Sequence, residues 1–186
     1  MKNNFASTIS CLLISTVVLL TGCTTTPVKD VRKDEQYTKR LTETTVVWGN
    51  MDSLLIRTTH PLNQPFPETS IVRSKNRIAE LHALFKREAP GAVSAALEAS
   101  GVTVQTTEGA AATRLRITPV SAQNDCAAVG CSQLLWLDVE LMDYQADKIV
   151  WSARFMNSAP FDANDPASVR RFTDTLISRL KSSNLL

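Results

Sequence analysis

Over residues 134–142 the side chains sort by parity: Leu135, Leu137, Val139 and Leu141 fall on one side, Asp138 and Glu140 on the other. A period of two marks a strand with one face buried and one face wet. A turn-rich stretch over residues 143–147 follows, and Ile149, Trp151, Ala153 and Phe155 then repeat the alternation. Two such strands joined by a short turn make an antiparallel hairpin. Its register is tightly specified, because a slip of one residue would expose four apolar side chains. A hairpin of this kind needs a cover for its apolar face.

The rest of the chain supplies one. From residue 71 to residue 100 the period changes: Ile78, Leu81, Phe85, Ala89, Val93 and Leu97 recur at steps of three and four, the spacing of an amphipathic helix. Pro90 lies inside this run, so the helix kinks there or a second helix begins with proline in its first turn. Gly101 stands where a left-handed C-terminal residue is expected. Asp165-Pro166 reads as an N-cap followed by the favoured first residue of a final helix, with Val169, Phe172, Leu176 and Leu180 as its apolar stripe. Further strands are expected over residues 44–48, 53–58, 102–106 and 114–120, and loops over 60–67, 108–112 and 160–164. Such an order predicts an α+β fold, a mostly antiparallel sheet with both helices packed on one face.

The first two dozen residues stand apart from this pattern. Lys2 is followed by an apolar run over residues 9–20, about 18 Å long as a helix and well short of a ~30 Å hydrocarbon core. A charged start, a short apolar middle and a small-residue end are the parts of a secretory signal. Its last residues, Leu20-Thr21-Gly22-Cys23, resemble the lipobox of bacterial lipoprotein precursors. The resemblance implies a diacylglyceryl group on the Cys23 thiol, cleavage before Cys23 and acylation of the new amino terminus, palmitate being the usual chain. It makes that lipid the only covalent group, with no other cofactor, and makes the membrane a partner. Thr24 in place of aspartate is similar to the outer-membrane class of such proteins, which implies the periplasmic face of that membrane. The expected division is a signal over residues 1–22, a lipidated cysteine with a polar tether over 23–41, and a periplasmic domain over 42–186.

Of four cysteines, Cys11 leaves with the signal and Cys23 carries lipid, so Cys126 and Cys131 remain. An isolated pair in an oxidising compartment reads first as a disulfide. A metal site is the weaker reading, because four residues separate the two and no histidine is near.

A net charge of +2 gives no basic footprint for nucleic acid. No Gly-x-Ser-x-Gly elbow, zinc-helix spacing or glycine-rich phosphate loop occurs, and Ser94 in Gly91-Ala92-Val93-Ser94-Ala95 only superficially resembles an elbow. His60 falls in a loop, and His82 falls off the helical stripe, where a surface histidine is expected. Asp138 and Glu140 read as the solvated side of the sheet, with Arg114 and Arg116 as cross-strand partners. Trp136 shares that polar face, which makes Trp136, Asp138 and Glu140 the candidate partner surface.

In element order over residues 44–183 the chain resembles the small βαββα periplasmic domains of several bacterial lipoproteins. These include the lipopolysaccharide-assembly lipoprotein and lipoproteins that assist transporters or cell-wall synthases. The resemblance implies a non-catalytic interaction or assembly module for an envelope machine, with another envelope protein as partner. Two other readings stand beside it: a carrier or sensor of a small envelope ligand, and a cell-wall hydrolase. Oligomeric state is not encoded in these patterns.

Overall fold

The computed structural model describes residues 26–50, 55–59, 68–107, 109–127, 130–159 and 163–186. The lipobox and His60 lie outside the described residues. The fold is α+β. In chain order the elements are β1 (Val28–Lys33), β2 (Glu43–Trp48), β3 (Leu55–Thr59), α1 (Glu68–Glu98), β4 (Thr103–Gln105), β5 (Thr113–Ala127), β6 (Gly130–Asp143), β7 (Lys148–Ala159) and α2 (Pro166–Ser182).

Six strands run in the order β1-β7-β6-β5-β2-β4, and β3 joins the same sheet through β5. The long ladders β5–β6 and β6–β7 are antiparallel, as is β1–β7. β2 and β3 pair in parallel with successive halves of β5, and β4 pairs in parallel with β2. Both helices cover one face. The predicted inward residues Leu135, Leu137, Val139 and Leu141 are fully buried there, as is the whole α1 stripe from Ile78 to Leu97. Val169, Phe172, Leu176 and Leu180 of α2 close the same core. Neither helix is long and apolar enough to cross a membrane.

Local chemistry accounts for the helix ends. The Asp165 side chain accepts a hydrogen bond from the Ala167 amide at 2.9 Å and caps α2. At the end of α1, Gly101 takes φ +86°, the Gly101 amide donates to Glu98 and the Val102 amide donates to Leu97. This paired pattern satisfies carbonyls the helix leaves open. α2 ends in the same way on Asn184 at φ +54°, with its amide donating to Lys181 and that of Leu185 to Leu180. Pro90 lies within a single helix rather than opening a second one.

Two expectations are corrected. Residues 26–41 are not a tether. β1 pairs with the edge of β7, and Tyr37 and Leu41 are buried in the core. The Leu41 amide donates to the Leu185 carbonyl at 2.7 Å, the Lys33 ammonium donates to the Ser183 carbonyl at 2.8 Å, and Lys148 pairs with Asp34. The segment is a strap bound to the end of α2 and to the β6–β7 turn. Ile149 does not share the inner face either. A register shift after Leu141 rotates the start of β7, so Val150 and Trp151 are buried and Ile149 is 47% exposed.

Candidate functional site

The sheet face turned away from the helices carries the predicted partner residues. Asp138 and Glu140 stand on β6 between two arginines. Arg154 of β7 grips Asp138 with two bonds, Nε to Oδ1 at 2.6 Å and Nη2 to Oδ2 at 2.8 Å. Arg116 of β5 donates twice to Oε2 of Glu140, at 3.2 and 2.5 Å. The Asp138 carboxylate raises the Arg154 guanidinium above its ordinary value and holds it charged. Trp136 lies on the same face with the Lys29 ammonium 5.3 Å from its ring centre, and Arg114 stands 5.5 Å from the Tyr144 ring. The expected pairing of Arg116 with Glu140 holds. By register Arg114 stands opposite Met142, and Asp138 takes its partner from β7. These pairs are part-exposed, so each contributes little to stability. They fix a flat surface of alternating charge.

Asp143, at the start of the hairpin turn, is buried. Oδ1 accepts from the Gln145 and Ala146 amides at 2.8 and 3.1 Å, and Oδ2 receives the Lys39 ammonium at 3.4 Å. Burial alone would raise this carboxyl. The Ala146 amide, Lys39 and the Gln145 amide outweigh it and hold the group below its ordinary value. Tyr37 is pushed up by burial and by the nearby Asp143 carboxylate. The cluster ties the strap to the hairpin turn.

His82 is half-buried rather than a surface residue, its ring 5.9 Å from that of Trp48. Burial and the neighbouring Lys86 ammonium lower its pKa, so it stands as a neutral imidazole. Ser94 lies within α1. Among the described residues, no three His, Cys, Asp or Glu side chains are grouped to hold a metal ion.

Sequence reasoning missed a polar layer on the inner face, where Asn124, Gln133 and Asn157 are buried at one end of the core. The Gln133 Nε2 donates to Asn124 Oδ1, and the Asn157 Nδ2 donates to the Leu135 carbonyl, both at 3.5 Å. Strand periodicity places these positions inward, but their polarity masks the signal. Beside this layer a cleft of about 150 Å³ opens between the start of β1, the end of β7 and α2. That is below the ~300 Å³ of a small-molecule carrier site. A larger hollow runs along Glu68, Thr69, Val72, Arg73 and Asn76. It lies on the first turns of α1 rather than between sheet and helices.

At the tip of the β5–β6 hairpin the register sets Cys126 opposite Cys131, with Ala127 opposite Gly130 as the last pair. Facing residues in an antiparallel ladder have Cα atoms roughly 4.5–5.5 Å apart, within the span a disulfide bridges.

No family model and no curated protein sequence matches the chain. Among solved structures it is similar to the PelC dodecamer from Paraburkholderia phytofirmans, at 16% identity and TM-score 0.42 over 84% of this chain and 96% of that one. It is similar also to lipoprotein GNA1162 from Neisseria meningitidis, at 10% identity and TM-score 0.39 over 76% and 99% of the two chains. Protein XCC0632 from Xanthomonas campestris is a third, at 14% identity and TM-score 0.35 over 84% and 88%. These are loose likenesses, and none of them lends this chain a function.

Proposed function

We propose that this chain is a lipid-anchored envelope protein that works as a non-catalytic interaction module for a larger envelope assembly. The observation that carries this reading is the sheet face that neither helix covers. Both helices lie on the opposite side, so Trp136, the Arg154–Asp138 pair and the Arg116–Glu140 pair are presented outward on rigid strands. Positioned aromatic and arginine groups are what protein interfaces use most. The lipobox-like Leu20-Thr21-Gly22-Cys23 supplies the anchor, and two or three acyl chains at about 0.8 kcal/mol per buried methylene hold firmly.

A photo-crosslinking residue in place of Trp136, in native membranes, tests the partner surface. Adducts to another envelope protein are expected from this position and not from the same residue placed at exposed Arg87 on α1. Equal yields from both positions, or adducts only to the chain itself, refute the reading. Mass spectrometry of the mature protein is expected to find Cys23 as the acylated first residue.

The same compartment implies a Cys126–Cys131 disulfide. Thiol labelling of the unfolded mature chain is expected to find no free thiol before reduction and two after it. Reduction is expected to cost about 2 kcal/mol, the loop-closure value for so short a loop. Two labelled thiols before reduction would refute the bridge.

A further inference from the structure

One cation, Arg171, lines the cleft at the start of β1. Thr26, Pro27, Met156, Asn157, Ser168 and Arg171 are among the residues lining it. It opens where β1 meets the edge of β7, with the Met156 amide donating to the Pro27 carbonyl at 3.0 Å, and α2 closes its far side. Arg171 is half-buried, and among the described residues no carboxylate lies within ion-pair reach of it. Asn157 is 2% exposed, and its carboxamide oxygen has no hydrogen-bond donor. The Ser168 hydroxyl is already committed to the Asp165 carbonyl at 2.7 Å.

This set suits a ligand that is anionic at one end and donates a hydrogen bond at the other. The volume, about 150 Å³, is that of roughly five waters, enough for a phosphate and a small substituent. The surroundings favour one source. β1 carries three Lys or Arg against one Asp, and α2 carries four against one, charges that an anionic membrane surface attracts. Thr26 follows Cys23 by three residues, a span of at most about 11 Å. On the reading that Cys23 is acylated, on which this inference rests, the start of the cleft lies that close to the anchored sulfur.

We infer that the cleft binds the phosphoglycerol headgroup of an anionic phospholipid, Arg171 pairing with the phosphate oxygens and Asn157 Oδ1 accepting from a glycerol hydroxyl. The test uses the mature acylated chain in phosphatidylcholine vesicles, with or without phosphatidylglycerol as half of the lipid. Sedimentation follows the anchor, and hydrogen exchange follows the amides of residues 167–172. The chain is expected to sediment with both vesicle types. Exchange is expected to slow about tenfold with phosphatidylglycerol, the weight of one charge-assisted contact. Arg171→Gln is expected to abolish the slowing, and Arg170→Gln, an exposed neighbour, to retain it. Equal exchange in both vesicle types overturns the headgroup site and leaves the anchor standing. The same slowing from inorganic phosphate added to phosphatidylcholine vesicles overturns the lipid assignment, and equal loss in the two variants reduces the effect to surface charge and overturns the site. A chain that fails to sediment with phosphatidylcholine refutes the anchor, and this inference with it.

Discussion

Phe172→Ala is expected to lower the unfolding free energy by about 3–5 kcal/mol, the range for truncating a fully buried aromatic. Phe172 is the hinge of the core. Its ring meets Phe85 of α1 at 5.8 Å and Phe155 of β7 at 5.2 Å, both edge-on. One truncation therefore opens the contact between the two helices and the contact of α2 with the sheet together. Against a total stability of ~5–15 kcal/mol this leaves the fold marginal. Urea unfolding checks it: the midpoint should fall at unchanged slope, and Phe172→Leu should recover part of the loss. A shift of less than about 1 kcal/mol would mean that Phe172 is not central to the packing.

Asp143→Ala is expected to cost about 2 kcal/mol, because it strips hydrogen bonds from two turn amides and removes the anchor of Lys39. The pH dependence has a definite sign. The folded-state pKa of Asp143 lies below its ordinary value of 3.8, so the unfolded chain takes up its proton first on acidification. The contribution of this carboxylate is therefore full above pH ~4 and is lost as pH falls through the lower folded value. In Asp143→Asn that part of the acid slope should disappear. An unaltered slope would count against a charged, bonded Asp143 in the folded state.

What could be read in advance follows from the range of the forces involved. The stripes of α1 and α2 and the inward face of β6 were legible, because short-period burial leaves a local pattern at every third, fourth or second residue. The start of β7 was misread at Ile149, because a bulge changes the parity of a strand without changing its composition. Tyr37 and Leu41 gave no signal. Two apolar residues in a polar run show no period, and they are buried through contacts with the far end of the chain, such as the bond from Leu41 to Leu185. On the outer face, Glu140 with Arg116 was legible as a pair of neighbouring strands, whereas Asp138 with Arg154 depended on a register that the bulge sets. The cleft could not be read at all, since Thr26, Asn157 and Arg171 come from three separate stretches of sequence. Asn124, Gln133 and Asn157 went unnoticed because polarity in a strand normally means solvent.

β1 forms one margin of the sheet, and its pairing with β7 is interrupted between Lys29 and Arg32, with Asp30 at φ +52°. Were the chain moored to a bilayer as proposed, it would meet its own copies in two dimensions, where open backbone groups favour growth of ribbons. A kinked, charge-studded border offers no straight run of amides to such a neighbour, and on the opposite side β4 is only three residues long and β3 five. These margins thereby discourage edge-to-edge stacking between copies of the chain.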